Sequence, residues 1–299
     1  MNYVMHVLVY LEIYAVAALG LNIVAGYCGV MSLCHASFVA IGAYAYALAT
    51  LAAGLSFAPA LGVAIAVGAA ASVAVSLPAL RLRGDFLVLG TLAVQSLTYN
   101  LLYNWSDVKA PIGSWANLTN GPFGISGIPR PALGGVAFDS LPAFLLLCTA
   151  VTCAAVAIAR RLHAAPWRRA LEALRDDEVA ARSLGKSAAR FKFEAMAAAC
   201  ALAATAGALY ASYATYLDPS SASLDEGILM LAMVLVGGVG NVRGPLVGAF
   251  AVILLPEVLR ALSLPDGLAA NVRLACFGLL LTWLVHARPR GLAGKVRVG

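Results

Sequence analysis

Residues with the chemistry of a nucleotide or metal site are few in this chain, and they stand far apart. Gly185-Lys186-Ser187 has the form of the last three residues of a phosphate-binding P-loop. The glycine that such a loop needs five positions earlier is replaced by Ala180, and no apolar strand precedes the segment. Because the backbone amides cannot form a phosphate nest there, we expect no ATP binding by this chain. The cysteines form no metal-binding spacing, so no metal site is predicted.

A second set consists of single polar residues inside long apolar stretches. His35 and Ser32 belong to a glycine-rich stretch, residues 26–38, which we call the first glycine segment. Glycine permits unwound backbone, which is tolerated at membrane depth only where protein or water covers it. The segment predicts either a substrate pathway or polar contacts between helices, and both interpretations stay open. The candidate pathway residues are Asn22, Ser32, His35, Thr91 and Gln95.

Residues 237–245 form the second glycine segment. Glycine breaks in both halves of a membrane protein are a pointer to a transport site. This second one contains Arg243, which is typical of a turn between two spans on the cytoplasmic side. We therefore predict a tight cytoplasmic turn there in preference to a ligand site.

The composition explains why chemical groups are sparse. Of 299 residues, 62% are hydrophobic and 11% are charged, and the mean hydropathy is +0.88. Soluble domains are roughly 45–50% apolar and about 25% charged. Too few charges remain to solvate a folded surface, which excludes a soluble enzyme, a disordered protein and a nucleic-acid binder. The expected solvent is a lipid bilayer.

Apolar stretches that approach the length of a membrane span recur along the whole chain. A spanning helix needs about 20 mostly apolar residues. We predict an all-α membrane protein in which residues 1–299 form one transmembrane domain of about nine spans, with a range of eight to ten. Residues 27–35 are a candidate re-entrant stretch. The predicted spans are residues 6–26, 36–53, 57–77, 85–103, 141–159, 193–215, 227–240, 245–262 and 272–287.

Arginine and lysine orient these spans. The first 80 residues contain neither, and the basic residues cluster at 81–83, 160–192 and 288–297. Cytoplasmic loops are enriched in both residue types, so we place these three clusters inside. The N-terminus is then outside and the C-terminus is cytoplasmic. Two loops, residues 104–137 and 216–226, face outward and are poor in basic residues.

Residues 160–192, which we call the coupling loop, form the one sizeable cytoplasmic element in this topology. Trp167, Leu171 and Leu174 recur at helical spacing, and the helical pattern runs on to a stop at Gly185. Three interpretations are open: a solvated connecting helix, a membrane-surface helix, and a docking helix for a cytoplasmic partner. The acidic run 176–178 would repel anionic lipid, while a mixed-charge face suits docking.

Several segments together resemble the LivM-type permeases, the membrane subunits of ATP-binding cassette importers for branched-chain amino acids. The resemblance follows nearly the whole chain in order. It departs from the usual coupling motif in one respect, because the acid stands one place early, at Glu178. The segments that carry it are residues 20–27, 29–44, 81–86, 121–131, 169–185, 206–211, 237–249 and 288–292.

The resemblance implies a permease that moves branched-chain or other apolar amino acids by alternating access and does no bond chemistry. It implies a second, LivH-type permease, two cytoplasmic ATPase subunits and a periplasmic substrate-binding protein, in the bacterial inner membrane. This chain would hold no cofactor, since ATP and Mg²⁺ would bind to the ATPases. The residues implied in contact with an ATPase are Arg169, Arg175, Asp176, Asp177, Glu178, Ala180, Ala181 and Gly185.

Two alternatives differ in cargo or in class. Similar permeases carry urea, short amides or aromatic acids, so the cargo is open. A self-sufficient secondary carrier or channel is a different class of transporter. It is disfavoured because no file of Asp, Glu or His runs through the predicted spans, as a proton relay would need.

Overall fold

Helices make up most of the chain in the computed structural model, which describes residues 2–79, 82, 85–107, 109–133, 135–261, 272, 275, 278–279, 282 and 291–293. A π-helical turn, Ile23–Tyr27, continues the first helix, and short 3-10 turns cover Gly121–Phe123 and Pro219–Ala222. The α-helices of the described part are α1 Asn2–Asn22, α2 His35–Leu51, α3 Phe57–Ala79, α4 Asp85–Asn104, α5 Leu141–Ala164, α6 Pro166–Asp176, α7 Glu178–Ser183, α8 Ala188–Ala214, α9 Leu224–Gly237 and α10 Arg243–Ala261.

Eight of the nine predicted spans coincide with helices α1–α5 and α8–α10, and the ninth, residues 272–287, lies largely outside the described residues. The element boundaries differ by a few residues, as expected where apolar runs alone define an end. Within the described residues, the helices that are long and apolar enough to cross a membrane are Asn2–Tyr27, Phe57–Ala74, Phe86–Asn104, Leu141–Ala164 and Ala188–Ala214.

Helix α8 lies at the centre of the bundle and packs against α1, α2 and α3. Small residues allow this close approach, because a methyl group on Gly207 would overlap the carbonyl of Val39. A methyl group on Gly42 would likewise overlap Ala204. Without a hydrophobic driving force between helices in lipid, such backbone-to-backbone packing is a main source of association.

Between α1 and α2 the chain turns back into the bundle. Residues 28–34 are irregular, and α2 begins at His35 beside Ala17 of α1, with His35 Nε2 2.9 Å from the Ala17 carbonyl oxygen. Ala17 lies ten residues before the end of the π turn at Tyr27, or about 15 Å along the helix axis. The segment therefore turns back along α1 into the bundle.

Two short sheets tie the remaining connections. β1 Ile125–Ser126 pairs antiparallel with β4 Tyr216–Leu217, with Ile125 opposite Leu217. β2 Ala132–Leu133 and β3 Val136–Ala137 form a hairpin. The first pairing joins the long loop 104–137 to the connection between α8 and α9. The two loops that were predicted to face outward thus lie together at one end of α8.

The other end of α8 collects the predicted inward elements. The coupling loop contacts the end of α1, where Arg175 Nη1 donates to the Gly26 carbonyl over 2.8 Å. The turn after α9 meets the same region through Asn22. Residues 291–293 add a third contact, since the Leu292 amide donates to the Val236 carbonyl over 2.9 Å. The loop rich in basic residues and the loops poor in them therefore lie at opposite ends of the bundle.

Candidate functional site

The coupling loop folds as two short helices whose apolar side faces the bundle. Leu171 and Leu174 are buried, as their helical spacing predicted. Trp167 anchors the start of α6, since its Nε1 donates to Glu194 Oε2 of α8 over 2.9 Å. The opposite side of the loop is left to the charged residues, in agreement with an amphipathic helix.

The continuous helix predicted from Trp167 to Gly185 is wrong in one place, because it breaks at Asp177. The Asp177 carboxylate accepts hydrogen bonds from the amides of Val179 and Ala180, each over 2.9 Å. Those contacts make Asp177 the N-cap of α7 and hold its own backbone extended. The sequence contains this capping Asp, but the apolar periodicity continues past it and predicts one unbroken helix.

The predicted stop at Gly185 is confirmed. Gly185 has φ +79°, a left-handed conformation that glycine adopts without steric cost. Its amide donates to the Arg182 carbonyl over 2.9 Å, and the Lys186 amide donates to the Ala181 carbonyl over 3.1 Å. These contacts close the end of α7 and leave the loop tip turned outward.

Arg175 connects the coupling loop to the membrane part of the chain. Its Nη1 donates to the Gly26 carbonyl over 2.8 Å, and its Nε donates to Asp176 Oδ1 over 2.9 Å. The aliphatic part of the side chain lies on Gly29, where any Cβ would collide with it. The receiving carbonyl belongs to the π turn Ile23–Tyr27, so a side chain of the loop reaches the irregular end of α1 directly.

The other predicted coupling residues divide into inward and outward groups. Glu178 forms ion pairs with Arg182 over 2.6 Å and with Lys192 over 2.9 Å, which ties α7 to the start of α8. Ala181 is buried. The outward residues are Arg169, Asp176, Asp177, Ala180 and Gly185.

Two apolar residues at the tip of the coupling loop are exposed. Val179 is 75% exposed and Leu184 is 82% exposed, although both are aliphatic. They lie on either side of the outward-facing Ala180. Leu184 was expected to end the apolar run of the predicted helix, and its exposure corrects that expectation. Val179 was not singled out in the sequence; its position outside the Leu171 and Leu174 spacing was the available signal.

Gln95 is the most connected of the candidate pathway residues. Its Oε1 accepts from the Ser37 amide over 3.1 Å and from the Ser37 hydroxyl over 2.7 Å. Its Nε2 donates to the carbonyls of Ala222 and Ser223, the latter over 3.0 Å. One buried amide therefore joins the first turn of α2, the middle of α4 and the segment that leads into α9.

Three further candidates hold the first glycine segment in place. The Thr91 hydroxyl accepts from the Leu33 amide over 3.1 Å. The His35 ring is bonded to the Ala17 carbonyl, and the Ser32 hydroxyl lies 3.1 Å from the sulfur two residues on. All three are buried, and their polar atoms are directed at the chain itself. In this conformation His35 joins α2 to α1 and Thr91 joins α4 to the first glycine segment, while the Ser32 contact stays within that segment.

Asn22 joins the two glycine segments. Its Oδ1 accepts from the Gly240 amide over 2.9 Å, and its Nδ2 donates to the Asn241 carbonyl over 3.2 Å. Gly26 lies in the same contact, where a Cβ would come 2.6 Å from the Gly240 nitrogen. The second segment is a tight turn, as predicted, and this turn is packed against the π turn of α1.

A cavity near the start of α9 was not foreseen. It measures about 60 Å³ and contains a carboxylate, Glu226, whose Oε2 accepts from the Tyr14 hydroxyl over 2.8 Å. We call it the Glu226 cavity; its walls are Ile13, Tyr14, Ala17, Val39, Ala206, Tyr210, Ser220, Ser221, Glu226 and Met230. A second space of about 240 Å³, the α4–α9 groove, is lined by Gln95, Ser96, Tyr99, Asn100, Ser220, Ala222, Ser223 and Leu224.

Glu226 was assigned to an outward loop because the span was predicted to begin at residue 227. The helix in fact begins at Leu224, and the Ser223 hydroxyl accepts from the Glu226 amide over 3.4 Å. Ser223 and Glu226 have the Ser-x-x-Glu spacing of a capping box, which marks a helix start. That spacing was the signal which could have placed Glu226 inside a helix.

The comparisons with known proteins agree with the helical membrane fold described above. The family described as branched-chain amino acid transport system / permease component matches residues 3–284. The high-affinity branched-chain amino acid transport system permease protein LivM of Escherichia coli (strain K12) is 32% identical over 95% of this chain and 68% of its own length. The LivM protein of Salmonella typhimurium gives the same identity and coverage.

A more distant relative is the probable branched-chain amino acid transport permease protein LivM of Methanocaldococcus jannaschii. It is 27% identical over 44% of this chain and 41% of its own length. No solved structure matches the chain. The resemblance read from the sequence motifs is confirmed by these matches.

Proposed function

This chain belongs to the family of branched-chain amino acid transport permeases, and from that premise we propose its cargo, its partners and its orientation. The chain is a membrane permease. Its cargo is a branched-chain or other apolar amino acid, moved by alternating access as part of an ATP-binding cassette importer in a bacterial inner membrane. The observation that carries the proposal is the direct contact between the coupling loop and the end of α1, through Arg175 and Gly26.

The proposed orientation has the N-terminus outside and the C-terminus in the cytoplasm, with nine spans. It is supported by two independent features. Basic residues concentrate in the coupling loop, and the loops 104–137 and 216–223 at the other end of α8 are poor in them. The turn of the second glycine segment and residues 291–293 lie at the same end as the coupling loop, as this topology requires.

We propose that α6 and α7 dock on a cytoplasmic ATPase, which holds ATP and Mg²⁺. Val179 and Leu184 supply exposed apolar contacts, and Arg169, Asp176 and Asp177 supply charges that select the register of the partner. A displacement of the docked loop reaches the π turn through Arg175. Coupling between ATP hydrolysis and transport requires an element with two arrangements. Both the ATPase site and the transport pathway must shift the balance between these arrangements.

The remaining partners are a second, LivH-type permease and a periplasmic substrate-binding protein. The binding protein is expected on the surface formed by the loop 104–137 and the β1–β4 pair. The second permease is expected on the side of α4 that carries Ser96 and Asn100. Polar residues on a membrane helix usually face protein or water instead of lipid, which supports that choice.

Reconstitution into liposomes tests the proposal. The chain is assembled with a candidate second permease, two ATPases and a binding protein, and uptake of labelled leucine, isoleucine and valine is measured with and without ATP. We expect uptake only with the full set and ATP. Uptake by this chain alone, without ATP, would assign it to the secondary carriers. Competition by urea, short amides or aromatic acids without competition by leucine would change the cargo.

The docking part of the proposal has its own test. Leu184→Glu places a charge at the exposed tip of the coupling loop without touching the bundle. We expect loss of ATPase binding in a pull-down of the detergent-solubilised complex, and loss of uptake in proportion. Ser126→Glu, at the opposite end in β1, is the matched control and should leave ATPase binding unchanged. Equal ATPase binding by Leu184→Glu and the parent chain would remove the docking role of the tip.

A further inference from the structure

Glu226 brings a carboxylate into the bundle without a basic residue to balance it. No Lys or Arg occurs anywhere from residue 193 to residue 242, which covers most of α8 and the whole of α9. In the described part of the chain, Glu226 forms no ion pair, and its Oε2 is bonded to the neutral hydroxyl of Tyr14. A carboxylate in a membrane protein interior is costly unless it is paired, and such residues mark substrate or ion pathways. We therefore expect the cationic group that pairs with the Glu226 carboxylate to come from outside the chain.

The walls around this carboxylate have two kinds of surface. Ile13, Val39 and Met230 present aliphatic and thioether groups, and Ala17 and Ala206 leave space between the helices. Tyr210 lines the same cavity, and its hydroxyl makes no hydrogen bond to another described residue. One anionic group, one free hydroxyl donor and an aliphatic wall together match the three parts of an apolar α-amino acid.

We propose that the Glu226 cavity is the binding site for the transported amino acid. The Glu226 carboxylate receives the ammonium group, the Tyr210 hydroxyl donates to the carboxylate of the ligand, and the side chain rests on Ile13, Val39 and Met230. This inference rests on the proposed function, because it names the site through which the cargo passes. The cavity of about 60 Å³ has room for several waters, since about 10–15 Å³ admits one, and binding of an amino acid therefore requires it to widen.

The route into the cavity is set by the segment in front of α9. Ser220 is exposed and lines both the Glu226 cavity and the α4–α9 groove. The 3-10 turn Pro219–Ala222 thus separates the two spaces, and Gln95 holds it through the carbonyls of Ala222 and Ser223. A shift of this short turn joins the groove to the cavity without unfolding a helix.

Glu226→Gln tests the ammonium site in the reconstituted importer, because it removes the charge and keeps the size. We expect leucine uptake to fall by about tenfold to a hundredfold, the range for losing one charge-assisted hydrogen bond. Glu12→Gln is the matched control, since Glu12 is also a carboxylate of the bundle, accepts from the Thr149 hydroxyl over 2.7 Å and is absent from the cavity walls. It should keep at least half of the parent uptake.

A binding readout separates the site from a general loss of function. Ser220→Cys is introduced together with Cys153→Ser, which removes an exposed native thiol, and the rate of labelling by a charged methanethiosulfonate is measured. Leucine should slow this labelling in the complex, and 4-methylpentanoate, which lacks the ammonium group, should not. Ser56→Cys, exposed in the connection between α2 and α3 and outside every surface proposed above, serves as the control and should be unaffected by leucine. In the Glu226→Gln background the protection by leucine should disappear.

The outcomes distinguish the two proposals. If the parent complex imports leucine with ATP, and Glu226→Gln imports it equally well with full protection at residue 220, the cavity is not the site and the proposed function stands. If the parent complex imports no apolar amino acid, the proposed function fails and the site fails with it. Size-exclusion chromatography shows whether the complex with Glu226→Gln is still assembled. If it is not, the labelling assay is applied to the Tyr210→Phe variant. Weaker protection of residue 220 by leucine supports the cavity as the site, and full protection excludes it.

Discussion

The two glycine segments are both rich in glycine and differ in what the glycines make room for. In the second segment and just beyond it, backbone lies against backbone: a methyl group on Gly237 would overlap the Gly244 carbonyl, and one on Gly248, three residues after the segment, would overlap the Met233 carbonyl. In the first segment, the space is taken by groups from other parts of the chain. Gly29 accommodates the Arg175 side chain, and Gly26 accommodates the backbone of the second segment.

The difference teaches that a glycine cluster in a membrane span predicts close approach and does not identify the approaching group. In the second segment the approach produces a tight helix pair, α9 and α10. In the first it produces a joint that receives a loop side chain, a neighbouring turn and the start of α2. The joint is held by polar contacts to three other parts of the chain, which a conformational change can exchange.

The largest effect is expected in the second segment. Gly237→Val forces a branched side chain into the Gly244 carbonyl, and overpacking of this kind costs about 1–3 kcal/mol or more. We expect almost no monodisperse protein by fluorescence-detected size exclusion. Gly62→Val is the control, because no atom lies within 4 Å of a Cβ at that position. Equal yields of the two variants would contradict backbone packing as the role of the second segment.

A smaller loss is expected where the two segments meet. Asn22→Leu leaves the buried Gly240 amide without its acceptor, which costs about 1–3 kcal/mol. The measurement is the thermal unfolding midpoint of the purified chain in detergent. Asn100→Leu provides the comparison, since the Asn100 side chain bonds only to the Ser96 carbonyl of its own helix. A midpoint for Asn22→Leu at or above that of Asn100→Leu would show that the segments are not joined through Asn22.

Arg175→Ala tests the polar joint without disturbing the glycine packing. We expect the ratio of leucine imported to ATP hydrolysed to fall about tenfold, equivalent to about 1.4 kcal/mol of coupling. Folding should change little, because the side chain sits at the edge of the bundle. Arg182→Ala removes another loop arginine, one that pairs with Glu178 at the surface, and should leave the ratio near that of the parent. The same ratio in both variants would exclude Arg175 as the link.

The smallest effect concerns the first turn of α2. Ser37→Ala deletes the hydroxyl bond to Gln95 and keeps the amide bond, so we expect a loss of about 0.5–1.5 kcal/mol in stability. Gln95→Leu removes all four contacts and should lower the unfolding midpoint several times more. If Ser37→Ala is as destabilising as Gln95→Leu, the contacts to Ala222 and Ser223 contribute nothing.

The sequence predicted the helices of the described part well, because a long apolar run has few stable alternatives to a helix in lipid. Gly185 was equally readable, since a glycine after a periodic run marks a helix end. The break at Asp177 was missed because one capping side chain interrupts the helix while the helical pattern continues on both sides of it.

The candidate site was harder to predict, because a polar residue in an apolar run reveals its depth and not its partner. His35, Thr91 and Gln95 were correctly placed inside the bundle, yet each is bonded to backbone groups distant in sequence. Glu226 was missed because its helix begins earlier than hydropathy suggests. The partners of the first three are contacts between segments, which one sequence does not encode locally, whereas the early start of α9 was marked by the local Ser-x-x-Glu spacing.

The two-residue ladder between β1 and β4 has a mechanical consequence. Ile125 and Leu217 are buried where the strands meet, so the long loop and the chain just before Asp218 move as one piece. Only a few residues separate this piece from the start of α9. A displacement of the outer side of the long loop is therefore transmitted over a short distance to the 3-10 turn in front of α9, which covers the Glu226 carboxylate.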